Sequence, residues 1–162
     1  MSTHKSVSKL AVVVATVLAF SVITAPTAGA VPVRKSSVAD AIRTCLEDGY
    51  YAGHLQTVYS PVTGKTYHLD CGTPDSSSGL LHINAAHPIP TSTSGIEQFE
   101  LCLQRLIGSG APGGTAATGT TRWNWPNSSS WKVGGYTQNS TLAVNTVFTP
   151  GSNSANWASC AA

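Results

Sequence analysis

The fold of this 162-residue chain is most constrained by its four cysteines, which are Cys45, Cys71, Cys102 and Cys160. An even number of cysteines in an exported chain indicates two disulfide bonds, and no CxxC spacing suggests a zinc site. Four cysteines can pair in three ways. Because a cross-link that closes a long loop stabilises most, we expect Cys160 to be joined to an earlier element. We prefer the pairs Cys45–Cys102 and Cys71–Cys160.

Residues 1–30 have the three parts of a secretory signal peptide. Lys5 and Lys9 precede an apolar run over residues 10–23, and small residues up to Ala30 form a cleavage site. The apolar run is shorter than the roughly 18 residues that span a bilayer. We therefore predict cleavage after Ala30 and secretion of residues 31–162 as one soluble, extracellular, monomeric domain without a membrane anchor.

The predicted mature part carries no formal net charge. Lys5 and Lys9 account for two of the nine basic residues, which leaves seven basic side chains against seven acidic ones. General nucleic-acid binding relies on a surplus of basic residues, which this chain lacks. A mature chain of about 130 residues suffices for one domain with one core, and not for two.

Helical periodicity predicts two main helices. The first begins at a capping box of Ser37 and Asp40. The second begins at a capping box of Ser94 and Glu97 and ends at Gly108. A short segment between these helices ends before two prolines, and its structure is left open.

Five β-rich segments predict a mainly antiparallel sheet, namely residues 55–60, 65–72, 122–125, 131–136 and 142–149. The first two flank a Pro/Gly turn and form a hairpin. A glycine-rich stretch at 108–121 is interpreted as a flexible loop. In the last strand, alternation puts Leu142, Val144, Thr146 and Phe148 on one side. The order of elements indicates an α+β fold with two main helices packed on about five strands, stapled by two disulfides.

Side chains that could take part in catalysis or metal binding are concentrated between positions 67 and 88. They include Asp70 and three histidines, His68, His82 and His87. On a strand His68 and Asp70 share one face and could orient a base, although such neighbours are often only solvated. His82 and His87 are poorly placed to share a metal, because residues five apart on a helix point about 140° apart. Either could act as a general acid or base. The alternative is that His82 packs or caps and His87 faces solvent.

Three tryptophans, Trp123, Trp125 and Trp131, lie in or beside the predicted late strands. They could stack on a ligand or pack the core. The sequence has no GxSxG motif, and all cysteines are expected in disulfides. Serine hydrolases and cysteine proteases are therefore disfavoured.

The order of several motifs resembles a known group of enzymes. The motifs are Cys71-Gly72, Gly-x-x-His-Ile at 79–83 with His87 behind it, a helix, a glycine-rich stretch, and late strands that begin near Arg122 and end in Thr-x-x-x-Pro at 146–150. Over residues 70–150 the chain resembles small metal-independent ribonuclease toxin domains of the barnase, EndoU, colicin and RelE-like group. These are C-terminal domains of bacterial secreted toxins.

The resemblance implies a site and a reaction. His82 would be the catalytic histidine, Arg122 would bind phosphate or stabilise charge, and Thr146 or Thr149 would be a polar residue on the closing strand. His87 or His68 could supply a second acid–base group if the fold brings them together. The ribose 2′-hydroxyl would attack the adjacent phosphorus of RNA without a metal or cofactor.

The resemblance also allows for a protein partner such as an immunity protein. An alternative of a different class is a non-catalytic secreted binding or inhibitor module. Such a module would use the three tryptophans as its contact surface.

Overall fold

The computed structural model describes residues 37–115, 119–151 and 155–161. The predicted signal peptide, its cleavage site and the lead up to residue 36 lie outside these residues. Within these ranges, no helix has the length and apolar character required to cross a membrane.

The described chain contains three α-helices and six β-strands. In chain order these are α1 (Val38–Asp48), β1 (His54–Ser60), β2 (Lys65–Asp70), α2 (Leu80–Ala86), α3 (Thr93–Gln104), β3 (Ala111–Thr115), β4 (Thr120–Trp125), β5 (Val133–Gln138) and β6 (Val144–Phe148). A π-helical turn (Arg105–Ser109) extends α3, and a 3-10 helix (Trp157–Ala161) follows the last strand. The coarse α+β prediction is confirmed.

Helix α1 begins as predicted. The Ser37 hydroxyl accepts a hydrogen bond from the Asp40 amide at 3.1 Å, and the Asp40 carboxylate accepts one from the Ser37 amide at 3.2 Å. The residues on its inner face are buried, and Gly49 ends the helix. Local capping chemistry and apolar spacing thus fix this element together.

Helix α3 exists as predicted, but the predicted cap is wrong. Ser92, rather than Ser94, caps the helix, and its hydroxyl accepts a hydrogen bond from the Gly95 amide at 3.2 Å. A Cβ atom on Gly95 would lie 2.5 Å from Pro90 Cβ, so the incoming chain packs directly against Gly95. This contact places Gly95 inside the first helical turn and makes Ser92 the residue that reaches its amide.

The strands form two antiparallel sheets rather than one sheet of about five strands. Strands β3, β4, β5 and β6 follow one another in space, and β1 pairs with β2 in the predicted hairpin. The two sheets meet where the His68 amide donates a hydrogen bond to the Leu142 carbonyl at 3.1 Å. The short segment that contains His82 is a third helix, α2.

Strand β3 lies in the stretch that the sequence predicted to be a flexible loop, so that part of the prediction is wrong. Ala111 pairs with Asn124 and Pro112 pairs with Trp123. Strand pairing uses backbone groups, so a segment poor in large side chains can still pair with a neighbouring strand. Hydrophobic periodicity does not reveal such a strand.

The disulfide pairing that we preferred from the sequence is wrong. The bonds join Cys45 to Cys71 and Cys102 to Cys160. Cys45 faces inward from α1 and meets Cys71, which follows β2. The second bond forms because the 3-10 helix lies along α3. There Trp157 packs on Phe99, with ring centroids 5.1 Å apart. This packing brings Cys160 to Cys102, so the tail is tied to an earlier element as expected, but to a different one.

Candidate functional site

One face of the four-stranded sheet carries polar and aromatic side chains. Trp123 is fully buried, so alternation along β4 turns Arg122 and Asn124 to the opposite face. Arg122 lies opposite Tyr136, and Tyr136 lies opposite Thr146. Directly opposed residues of antiparallel strands share a face. We call this surface the open face and define it by Arg122, Asn124, Tyr136, Thr146 and Phe148, all half-buried.

A β-bulge sets which residues of β6 reach the open face. Tyr136 pairs with Thr146, but Thr137 pairs with Val144, so the bulge falls at Asn145. Val144 therefore points into the core with the buried Thr137. The predicted alternation, which put Val144 and Thr146 on one side, is wrong for this reason.

Phe148 lies at the centre of an aromatic cluster on the open face. Its ring centroid is 5.8 Å from Tyr136, 5.6 Å from Trp131 and 5.9 Å from His87. The opposing residue on β5 is Gly134, and a Cβ atom there would lie 2.9 Å from the Phe148 ring. The absence of a side chain at this position lets the ring lie across β5.

Helix α2 is fastened at its start between the two sheets. The Leu81 amide donates a hydrogen bond to the Cys71 carbonyl at 3.0 Å, and the Gly79 amide donates one to the Val144 carbonyl at 3.2 Å. Gly72 and Gly79 both have positive φ angles, and a Cβ on Gly79 would lie 2.9 Å from Gly72 Cα. These glycines allow the close approach that starts the helix beside β2.

His82 on α2 and His87 at the C-terminal end of this helix are both part-buried. His87 follows the last helical residue and contacts Phe148, so it does not simply face solvent. Burial lowers the pKa of His87 below its ordinary value of 6.5, and the charge of His82 lowers it further. His87 is therefore neutral at pH 7 and able to accept a proton, with His82 close enough to influence it electrostatically.

Arg122 has unused hydrogen-bonding capacity. Its Nε is buried and has no hydrogen-bond partner among the described residues, and the same holds for Asn124 Oδ1. Buried polar atoms are normally paired, so an unpaired buried donor and an unpaired buried acceptor on one face of a sheet are unusual.

Thr149 does not belong to this surface. It is 5% exposed, and its Oγ1 accepts a hydrogen bond from the Asn156 amide at 2.8 Å. Thr149 therefore anchors the C-terminal segment. Of the predicted site residues, Arg122 and Thr146 share the open face, and His87 adjoins it through its contact with Phe148. His82 lies on α2 and interacts electrostatically with His87.

The tryptophans do not form one contact surface. Trp123 is fully buried, and its indole N–H donates a hydrogen bond to Thr137 Oγ1 at 2.8 Å. Trp125 is covered on one side by the Arg105 guanidinium, 4.6 Å from the ring centroid. The binding-module hypothesis placed all three tryptophans on its contact surface, and the buried Trp123 cannot take part in such a contact.

A second group of ionisable side chains lies on the N-terminal hairpin. Asp70 Oδ1 is 2.6 Å from His54 Nδ1, and Asp70 Oδ2 is 3.4 Å from His68 Nε2. The two imidazole centroids are 4.1 Å apart. His68 and Asp70 were expected to share a strand face, whereas His54 was not predicted to join them.

Comparison with known proteins found no match among family models, curated proteins or solved structures.

Proposed function

We propose that the protein is a secreted, metal-independent ribonuclease that cleaves RNA by transesterification at the open face. The observation that carries this proposal is the cross-strand row of Arg122, Tyr136 and Thr146. The neutral imidazole of His87 adjoins the same surface through Phe148. A base, a cation and hydroxyl groups are the components that such a reaction uses.

In the proposed reaction, His87 takes the proton from the ribose 2′-hydroxyl as its oxygen attacks the adjacent phosphorus. The bond between phosphorus and the 5′-oxygen breaks, and His82 donates a proton to the leaving oxygen. The products are a 2′,3′-cyclic phosphate and a free 5′-hydroxyl. Arg122 stabilises the negative charge that develops on the phosphoryl oxygens.

The aromatic cluster supplies the binding part of the proposal. Phe148 and Trp131 are half-buried and offer ring surface beside the polar row. Unpaired bases of single-stranded RNA stack on aromatic side chains. This stacking contribution to binding does not depend on the net charge of the protein.

The two disulfides indicate an oxidising compartment. Together with the signal-like residues 1–30, they support the proposal of secretion. A toxin-like role with a protein partner belongs to the same proposal.

The test is cleavage of a mixed RNA pool in the presence of a chelator by the oxidised chain of residues 31–162. Wild type is compared with His82→Ala, His87→Ala and Arg122→Ala. We expect each variant to lose about a hundredfold or more of the cleavage rate, as removal of an acid–base or charge-stabilising group does. Products should end in 2′,3′-cyclic phosphate.

The matched control is Lys65→Ala, which removes a cation from the exposed part of the hairpin and should cleave like wild type. Unfolding curves establish that the variants remain folded. The proposal fails if the wild type does not cleave RNA, if folded variants cleave as fast as wild type, or if the chelator abolishes cleavage.

A further inference from the structure

A β-bulge creates the histidine–aspartate group on the N-terminal hairpin. Gln56 pairs with Leu69, so regular pairing would put Leu55 opposite Asp70. Instead His54 lies opposite Asp70, and both Leu55 and Gln56 are buried. The extra residue turns His54 to the outer side of the hairpin, where Asp70 lies. Bulges commonly redirect a side chain in this way at functional positions.

The three side chains offer a compact set of donor atoms. One donor atom from each of His54, His68 and Asp70 can be chosen so that all lie within 4.8 Å of one another. Tetrahedral zinc with bonds of about 2.0 Å needs donors roughly 3.3 Å apart. His54 and Asp70 have side chains that are 54% and 42% exposed, so small rotations can close this difference.

We propose that His54, His68 and Asp70 bind one zinc ion on the outer side of the hairpin, leaving a coordination position open to solvent. Two imidazoles and one carboxylate are ligands that zinc accepts, and three protein ligands leave a fourth position for water or another molecule. This mixed nitrogen and oxygen set disfavours magnesium and calcium, which prefer oxygen ligands.

The disulfides and the fold suit this assignment. No cysteine among the described residues is free, so no thiol competes for the metal. The backbone of His68 is held in place because its amide donates a hydrogen bond to the Leu142 carbonyl. The His68 side chain is only 20% exposed. A fixed His68 combined with two adjustable ligands gives a partly preformed site.

The test is calorimetric titration of the oxidised chain of residues 31–162 with zinc chloride, beside His54→Ala, His68→Gln and Asp70→Asn. We expect one zinc per wild-type chain and a zinc-dependent rise in the thermal unfolding midpoint. Loss of an outer-shell partner weakens metal binding about 10- to 100-fold, so loss of a ligand should weaken it by about a hundredfold or more.

The control is a His82→Ala/His87→Ala double variant, which removes two other histidines and should keep wild-type zinc affinity. Unfolding in chelator identifies any variant that has lost its fold, and the exposed positions of His54 and Asp70 provide two substitutions that should not affect folding. The proposal is overturned if wild type binds no zinc, binds magnesium equally well, or loses zinc only in the double variant. This test does not depend on ribonuclease activity.

Discussion

Glu100 on α3 has a carboxylate whose Oε1 is buried without a hydrogen-bond partner among the described residues. Burial, and then repulsion from Glu97, raises the pKa of Glu100 above its ordinary value of 4.5. The folded protein therefore keeps a proton on Glu100 at pH values where the unfolded chain has released it. Stability from this group is present below pH 4.5 and is lost as the pH rises through the folded-state pKa.

We expect Glu100→Gln to stabilise the protein at pH 7 and to have no stabilising effect below pH 4.5. The gain should be under about 1 kcal/mol, because a part-exposed charge is screened by solvent. The measurement is the urea midpoint as a function of pH. Glu97→Gln should give a smaller gain with the same pH trend, and Glu47→Gln on the exposed part of α1 should give none. A gain from Glu100→Gln that is equal at pH 3 and pH 7 would contradict this explanation.

The candidate site was predictable at the level of residue type and only partly at the level of contacts. Four of its residues can be chosen from the sequence because they are ionisable or polar and belong to one ordered set of motifs. They are His82, His87, Arg122 and Thr146. Tyr136 carries no sequence signal for this site, because its place beside Arg122 and Thr146 depends on strand register. Register depends on the paired strand, which one strand's sequence does not specify.

At the scale of elements, periodicity predicted well where side chains determine the structure, and capping did so for α1 but not for α3. Helices α1 and α3, the hairpin and the strands β4 to β6 were all expected from local patterns. The errors in the strands have one physical cause in common, since β3 and the bulges at Leu55 and Asn145 are determined by backbone pairing. A bulge turns every residue beyond it to the opposite face of the strand. The amino-acid composition of the strand does not reveal it.

A substitution at Gly134 tests the packing of the open face. A Cβ atom there would lie 2.9 Å from Phe148 Cε2, so Gly134→Ala must displace the ring from its aromatic neighbours. We expect a loss of stability of about 1–3 kcal/mol, typical of overpacking. Urea unfolding measures this loss, and the fluorescence of Trp131, which contacts Phe148, should change in the folded state.

Two further variants make the Gly134 experiment specific. Gly108→Ala should be tolerated, because its Cβ would meet atoms only at 3.7 Å or beyond. The combination of Gly134→Ala with Phe148→Ala should cost less than the sum of the single changes, since the clash is then removed. Strict additivity would show that the ring is not what opposes a side chain at Gly134.

At the scale of the whole molecule, the two disulfides close loops of different length. Cys102 and Cys160 are 58 residues apart, and Cys45 and Cys71 are 26 residues apart. Replacing either pair with alanine should lower the free energy of unfolding by about 2–5 kcal/mol. The longer loop should cost more by about 0.5–1 kcal/mol, because its closure restricts the unfolded chain more.

Urea unfolding of the two double-alanine variants under identical conditions measures these losses. Both pairs are buried in the core, so the cavities left by the substitutions are comparable. A larger loss from the Cys45–Cys71 pair would show that native-state packing, rather than loop length, determines the contribution of each bond.

The bond between Cys102 and Cys160 has another effect on a protein exposed to proteases. It encloses the four-stranded sheet, and within it residues 127–130 form an exposed turn between β4 and β5. A single cut in that turn would leave two peptides that remain covalently joined and paired through the sheet. The cut protein would migrate as one species until a reductant separated it, so cleavage of the chain and loss of the molecule would be separate events.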